Sequence, residues 1–298
     1  MNLSGIYPAL VTPFTANGAV SITDLKHNIA RYNQTGLTGW VVNGSTGESM
    51  LLTRDETDAV LVAVKEAAAT SKHLIAGTGV ESTAETIDRT KRAAEIGYQW
   101  ALVKTPHYYK PAYQPEVFIE HYRRVADASP IPVLLYSVPQ FTGVALEATE
   151  VAVLAEHPNI VGIKESSGNI LRVSEMIATT PETFSVLTGS ASTLLPALVL
   201  GVRGGILALA SAFPEQCVAL YQLARSGKLE QARRMQQSLL LASNLIVAEA
   251  GIAGVKFAMD QRGYRGGLPR RPLLPLADSL KARILRTVAA IDAVAASA

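Results

Sequence analysis

Lys164 carries the most chemical information in this sequence. It stands in an otherwise apolar run, Ile160-Val-Gly-Ile-Lys-Glu-Ser166, that reads as a buried strand. Alternation along a strand puts Gly162, Lys164 and Ser166 on one face and Ile163 on the other. An ammonium held there costs several kcal/mol unless it is paired or loses its proton. Two readings follow. One pairs Lys164 with an acid such as Glu48 or Glu165; the other makes it a neutral amine, the nucleophile that attacks a carbonyl carbon to form a Schiff base. Tyr136 ends another apolar run, PVLLYSVP from Pro132, where a phenol either packs as an aromatic or relays protons beside such a lysine. Ser45 and Thr46 lie in the turn Gly44-Ser-Thr-Gly-Glu48. Its free N–H groups and hydroxyls suit a carboxylate, unless it is a plain tight turn. It is not a nucleotide-phosphate loop, since no Gly-Lys-Ser/Thr follows. His27, His73, His107, His121 and His157 form no HExxH or comparable pair, so no metal site is expected. Only His107 falls at a strand end, as a candidate pocket wall.

These groups need a frame, and the chain repeats one local pattern. A short apolar run ends in Gly, Ser, Thr or Pro, and a longer helical pattern follows. The runs are GIYPALVTP from Gly5, GWVVNG from Gly39, HLIAGTG from His73, WALVKTP from Trp100, PVLLYSVP from Pro132, IVGIKES from Ile160, FSVLTGS from Phe184 and GGILALA from Gly204. Such runs are strands buried on both faces, and right-handed crossovers close them into a parallel (β/α)₈ TIM barrel. An open doubly wound sheet is the alternative, but no GxGxxG fingerprint supports it. Thr53-Arg-Asp-Glu56 and Ser82-Thr-Ala-Glu85 fit a helix capping box, and Gly36 and Gly97 stand where helices would end. Trp40 and Trp100 start strands and read as packing. Barrel enzymes gather their chemistry at the carboxyl ends of the strands, where Ser45, Tyr136 and Lys164 all fall.

The barrel is expected over residues 1–226 and a C-terminal helical appendage over 227–298. Within the appendage, helices are expected over 228–250 and 275–298, joined by the basic Gly- and Pro-rich link RGYRGGLPRRPLLP. The appendage packs on the barrel or on another subunit; the link is a solvated loop or binds an anion. The 298 residues are 48% hydrophobic and 17% charged, enough to bury a large core. A net charge of +2 gives no argument for nucleic acid or a membrane surface. Cys217 is the sole cysteine, which excludes an intrachain disulfide and reads as a packed hydrophobe. No apolar stretch reaches the roughly 20 residues of a membrane span, and the start lacks signal-peptide features, so a cytoplasmic protein is expected.

The segments Gly44-Ser-Thr-Gly-Glu48, Tyr136-Ser-Val-Pro139, Gly162-Ile-Lys-Glu-Ser166 and Gly189-Ser190, in this order and at these strand ends, resemble the family of dihydrodipicolinate synthase and N-acetylneuraminate lyase. These are class I pyruvate-dependent aldolases, and the likeness covers nearly the whole chain. The resemblance implies that Lys164 forms an imine with the keto carbon of pyruvate and that Tyr136 relays protons. It implies that Thr46, with Ser45, holds the pyruvate carboxylate and passes protons toward Tyr136. Tyr108, chosen over Tyr109 by the register of His121, matches a tyrosine that enters the neighbouring subunit's site. Gly189 and Ile206 match pocket-lining positions, and Ser166 and Phe141 are expected to touch substrate. The family is commonly a tetramer of two tight dimers, so an oligomer, a homotetramer or a dimer, is implied. No cofactor or metal is, since the imine is the electron sink.

Synthases of the family usually carry YNVPxRTG after strand five, and that arginine grips the carboxylate of aspartate semialdehyde. Here the loop is YSVPQFTG, with Phe141 in place of arginine. YSVP, HPNIVG and Gly263-Tyr-Arg-Gly-Gly267 resemble 4-hydroxy-2-oxoglutarate aldolase more. The favoured reading is therefore retro-aldol cleavage of 4-hydroxy-2-oxoglutarate, or a related 4-hydroxy-2-oxo acid, to pyruvate and an aldehyde. Thr46 fits the synthase pattern better, and Phe141 also suits an apolar or aromatic aldehyde. The alternatives are 4-hydroxy-tetrahydrodipicolinate synthase and a non-catalytic sensor of 2-oxo acids. Arg54, Thr57 and Glu81 stand where lysine-inhibited members carry His, His and Asn, so no inhibition by lysine is expected.

Overall fold

The computed structural model describes residues 3–296. Eight strands form the centre: β1 (Gly5–Pro8), β2 (Gly39–Val42), β3 (His73–Gly77), β4 (Trp100–Lys104), β5 (Val133–Ser137), β6 (Ile160–Glu165), β7 (Ser185–Thr188) and β8 (Gly204–Leu207). All pairs are parallel, in the order β1-β8-β7-β6-β5-β4-β3-β2. The ring closes where Ala9 bridges Val41 and the Leu10 N–H donates to the Val41 carbonyl at 2.9 Å. This is the (β/α)₈ barrel, and the doubly wound alternative falls away.

The helices are α1 (Ile22–Tyr32), α2 (Arg54–Ala67), α3 (Thr83–Ile96), α4 (Pro115–Ala128), the single turn α5 (Pro139–Thr142), α6 (Ala148–Ala155), α7 (Ile170–Thr179), α8 (Leu194–Leu200) and α9 (Pro214–Arg225). After them come α10 (Leu229–Ala242), α11 (Gly251–Gln261) and α12 (Asp278–Ala296). Local chemistry starts and stops them. Thr53 and Glu56 form the full reciprocal capping box of α2. Ser82 caps α3 by accepting from the Glu85 N–H, and Gly97 ends that helix in the left-handed region at φ 101°. Gly36, expected as a helix end, is not one: α1 stops at Tyr32 with Asn33 as its cap. The Asn33 side chain accepts from the Ala69 N–H and donates to the Ala67 carbonyl, so a polar side chain fixes this corner instead of a left-handed glycine.

Alternation sorts the strand residues. Tyr7, Val41, Ile75, Trp100, Leu102, Leu134, Tyr136, Leu187 and Ile206 fill the barrel interior, while Ala101, Val103, Leu135 and Ile163 face the helices. A register irregularity between β5 and β6 sets Gly162 beside Leu134 and hence Lys164 beside Tyr136.

The C-terminal layer departs from expectation. The helix expected over 228–250 is α10 followed by a π-helical segment, Ser243–Glu249. Next comes α11, which the sequence reading left unassigned. The last helix begins at Asp278, and residues 297 and 298 of that expectation, like residues 1 and 2 of the barrel, lie outside the described residues. Leu239, Ile246, Val255, Met259 and Ile284 share one core cluster with Trp40, Leu194 and Phe213, so this layer packs on the barrel itself. Among the described residues, no helix is long and apolar enough to cross a membrane.

Candidate active site

Three neighbouring strands bring Lys104, Tyr136 and Lys164 into one register row at the carboxyl end of the barrel. The Lys164 ammonium lies 4.2 Å from the centroid of the Tyr136 ring, a cation–π contact between two buried side chains. Among the described residues, no carboxylate pairs with Lys164. Glu48 is taken by Lys256, whose Nζ is 2.5 Å from Glu48 Oε1 in a fully buried ion pair. Glu165 turns away, accepts from the Ser167 N–H at 3.0 and 3.1 Å, and has its carboxyl pushed up by burial. The salt-bridged reading of Lys164 is therefore not realised.

Lys164 opens into a cavity of about 610 Å³. Ser45, Thr46, Ser166, Gly189 and Phe141 line it too. Within the turn, the side chain that meets Tyr136 is Ser45, with Oγ 3.3 Å from the phenol oxygen, rather than Thr46. The turn's own bonds run from the Gly47 and Glu48 N–H groups back to the Gly44 and Ser45 carbonyls. The N–H groups of Ser45 and Thr46 precede those bonds and have no partner among the described residues, which leaves them able to meet an anion. Ser166 Oγ is buried without a partner, and a Cβ built at Gly189 would stand 1.8 Å from it, so only glycine fits opposite that hydroxyl. Ile206 does not line the cavity. It is sealed in the barrel interior, and Ala208 and Leu209, just beyond it, form the wall. Phe141 is 65% exposed at the cavity mouth.

Tyr108 is 76% exposed and stacks edge-on against Tyr109, outside its own chain's cavity. Its loop is held by Glu81, whose Oε2 accepts from the His107 and Tyr108 N–H groups at 2.9 Å each. Arg54 is engaged with Glu85 and Asp88. His121 is buried, bonds Thr83 Oγ1 at 2.9 Å, and has its pKa pushed down to about 4 by burial.

Two features escaped the sequence reading. The first is the outer wall: Ser243, Asn244 and Val247 come from the π-helical segment, and Ile252 and Val255 from α11. The polar pair Ser243-Asn244 inside the apolar stretch LLLASNLIVA was the available signal. The second is Lys104. It ends an apolar strand and shares the inward parity of Trp100 and Leu102, the same signal that singled out Lys164.

Comparison with known proteins agrees with this arrangement. Residues 2–291 match the dihydrodipicolinate synthetase family. A 4-hydroxy-tetrahydrodipicolinate synthase of an Exiguobacterium species (strain AT1b) is 40% identical over 282 residues, covering 95% of this chain and 96% of the relative. A probable mitochondrial 4-hydroxy-2-oxoglutarate aldolase of Emericella nidulans is 36% identical over 274 residues, covering 90% of this chain and 88% of the relative. The crystal structure of the chloride-inhibited dihydrodipicolinate synthase of Acinetobacter baumannii in complex with pyruvate superposes with a TM-score of 0.92 at 30% identity, covering 98% of this chain and 99% of that one. The chain belongs to the dihydrodipicolinate synthetase family of pyruvate-dependent Schiff-base lyases.

Proposed function

We propose that Lys164 forms the imine and that the enzyme cleaves a 4-hydroxy-2-oxo acid to pyruvate and an aldehyde. The observation that carries this reading is the pairing of Lys164 with Tyr136 alone, facing a cavity and free of any acid among the described residues. The C1 carboxylate lies against the free N–H groups of Ser45 and Thr46, and C2 faces Lys164. The amine attacks C2, and the carbinolamine loses water as the Tyr136 phenol, held by Ser45, delivers a proton to the departing hydroxyl. The protonated imine then accepts the electron pair of the C3–C4 bond as the C4 hydroxyl gives its proton to the Tyr136 phenolate left by the dehydration, and the resulting phenol can later protonate C3. The aldehyde leaves; the enamine takes a proton at C3, and hydrolysis returns pyruvate and free Lys164. Ser166, beside Lys164 and unpartnered, is placed to bond the C4 hydroxyl.

The competing reading is condensation of pyruvate with aspartate semialdehyde, and the name of the 40% identical relative favours it. Phe141 favours cleavage, since the mouth offers an aromatic ring where that condensation uses an arginine. The exposed Tyr108 supports a dimer or tetramer in which it enters a neighbouring cavity. The test is borohydride trapping with pyruvate, then comparison of pyruvate release from 4-hydroxy-2-oxoglutarate with condensation onto aspartate semialdehyde. An adduct on the Lys164 peptide and release without condensation are expected. Condensation alone would install the synthase reading, and no adduct in folded protein would install the sensor.

A further inference from the structure

Behind Phe141 lies a second cavity of about 260 Å³, which shares Ser45, Val138, Phe141 and Ile252 with the first. Its lining is mostly apolar, but it contains Lys104 and His107, and also Glu48, whose charge is matched by Lys256. Lys104 is only 8% exposed, so its ammonium needs a partner. Its neighbours give it only long contacts. Glu81 Oε2 takes the His107 and Tyr108 N–H groups and the Tyr113 hydroxyl. Glu81 Oε1 faces His107 Nδ1 at 2.7 Å and Lys104 Nζ only at 3.7 Å, beyond hydrogen-bond length. His107 Nδ1 lies 3.5 Å from Lys104 Nζ. The ammonium thus has a 3.7 Å ion pair with Glu81 and a 3.5 Å contact with the imidazole, both long, and it borders an open cavity. Burial lowers the pKa of this ammonium against the pull of Glu81.

We infer that Lys104, with His107 beside it, binds the distal carboxylate of the substrate, which is then a 2-oxo dicarboxylate. The register row sets the Lys104 and Lys164 backbones two strand spacings apart, about 10 Å, with Tyr136 between them. A five-carbon diacid bound as an imine at C2 extends from Lys164 past Ser45 and Phe141 toward Lys104. The missing arginine at position 141 is replaced by a cation on a neighbouring strand. This inference rests on Lys164 being the imine lysine.

The test uses two unreactive five-carbon probes, 2-oxoglutarate and 2-oxopentanoate, which differ only in the terminal carboxylate. Each is trapped with borohydride on the intact enzyme over a concentration series, and the half-saturating concentration is read from the fraction of modified protein. Wild type is expected to favour 2-oxoglutarate at least tenfold. Lys104→Met should erase that preference while trapping 2-oxopentanoate as wild type does. Lys104→Gln, which keeps a hydrogen-bond donor near Glu81, is the second variant should Lys104→Met fold poorly. A preference absent in wild type, or kept by either folded variant, overturns the inference. Trapping reads Lys104 whichever reaction the enzyme performs. Failure to release pyruvate from 4-hydroxy-2-oxoglutarate would count against the cleavage reading alone.

Discussion

Replacing Lys256 by methionine should destabilise the protein far more than replacing Lys256 and Glu48 together. Both side chains are fully buried, and their charged atoms are 2.5 Å apart. Lys256 Nζ also donates to the Thr12 carbonyl at 2.8 Å and the Leu268 carbonyl at 3.0 Å, and Glu48 Oε2 accepts from the Arg270 N–H at 2.7 Å. Burial lowers the pKa of Lys256, and Glu48 works against that. Lys256→Met leaves the Glu48 carboxylate buried without its countercharge, a loss of about 3–5 kcal/mol. With a urea slope of about 3 kcal/mol/M, the unfolding midpoint should fall by roughly 1–1.7 M. In Glu48→Gln/Lys256→Met no charge is stranded, and about half or more of that fall should be recovered. The assay is urea unfolding of the four proteins of the cycle, followed by circular dichroism. A double variant no better than Lys256→Met would refute the reasoning, because the stranded charge would then not be the cause. Glu48 closes the Ser45–Thr46 turn in the left-handed conformation at φ 55°, so the cycle also reports whether the C-terminal layer holds that turn.

Tyr136→Phe should lower turnover by about 10²–10⁴, and pyruvate should still trap on Lys164 but more slowly, since the same phenol assists imine formation; adduct mass against time and steady-state rates check this. Gly189→Ala should close the cavity beside Lys164, because the new methyl would meet Ser166 Oγ at 1.8 Å, and pairing it with Ser166→Gly should restore trapping in part. The Arg270 guanidinium bonds both oxygens of Glu56 at 2.6 Å and holds its carboxyl at about 2. A depressed carboxyl stabilises the fold above its unfolded value and ceases to do so as pH falls through the folded one, so stability should drop between about pH 4.5 and pH 2, and less in Glu56→Gln. Millimolar lysine should not inhibit, as Arg54 is tied to Glu85 and Asp88; a dose response in the pyruvate-release assay would refute this.

The strands and their inward faces were legible because burial on both sides leaves short apolar runs, and alternation then fixes which residues look into the barrel. That logic reached Lys164 and Tyr136, and it applied equally to Lys104, two strands away and on the same face. The difference between the lysines lies in their neighbours. Glu81 comes from the β3–α3 loop and His107 from the β4–α4 loop, and their meeting at Lys104 is a tertiary event with no local pattern. The outer wall was hidden for a related reason. Gly251, which opens α11, follows the π-helical segment after Ala250, and the wider turn of that segment re-aims Ser243 and Asn244 without any change in composition.

The same contrast bears on specificity. In the proposed reading, the groups near C1 and C2 sit on strands and the β2 turn, which the barrel fixes. The groups beyond C3 come from Phe141, the β4–α4 loop and the C-terminal layer. A barrel of this kind can therefore keep one imine chemistry while the wall is exchanged. Moving the cation from position 141 to position 104 is such an exchange. It lifts the anchor from a loop that is largely exposed onto a strand end that is buried, where an ion pair with substrate is screened less. The distal carboxylate should consequently be held with little dependence on ionic strength. Raising salt from 50 to 500 mM should leave the preference for 2-oxoglutarate over 2-oxopentanoate nearly unchanged. A preference that collapses over that range would place the carboxylate on the exposed rim instead.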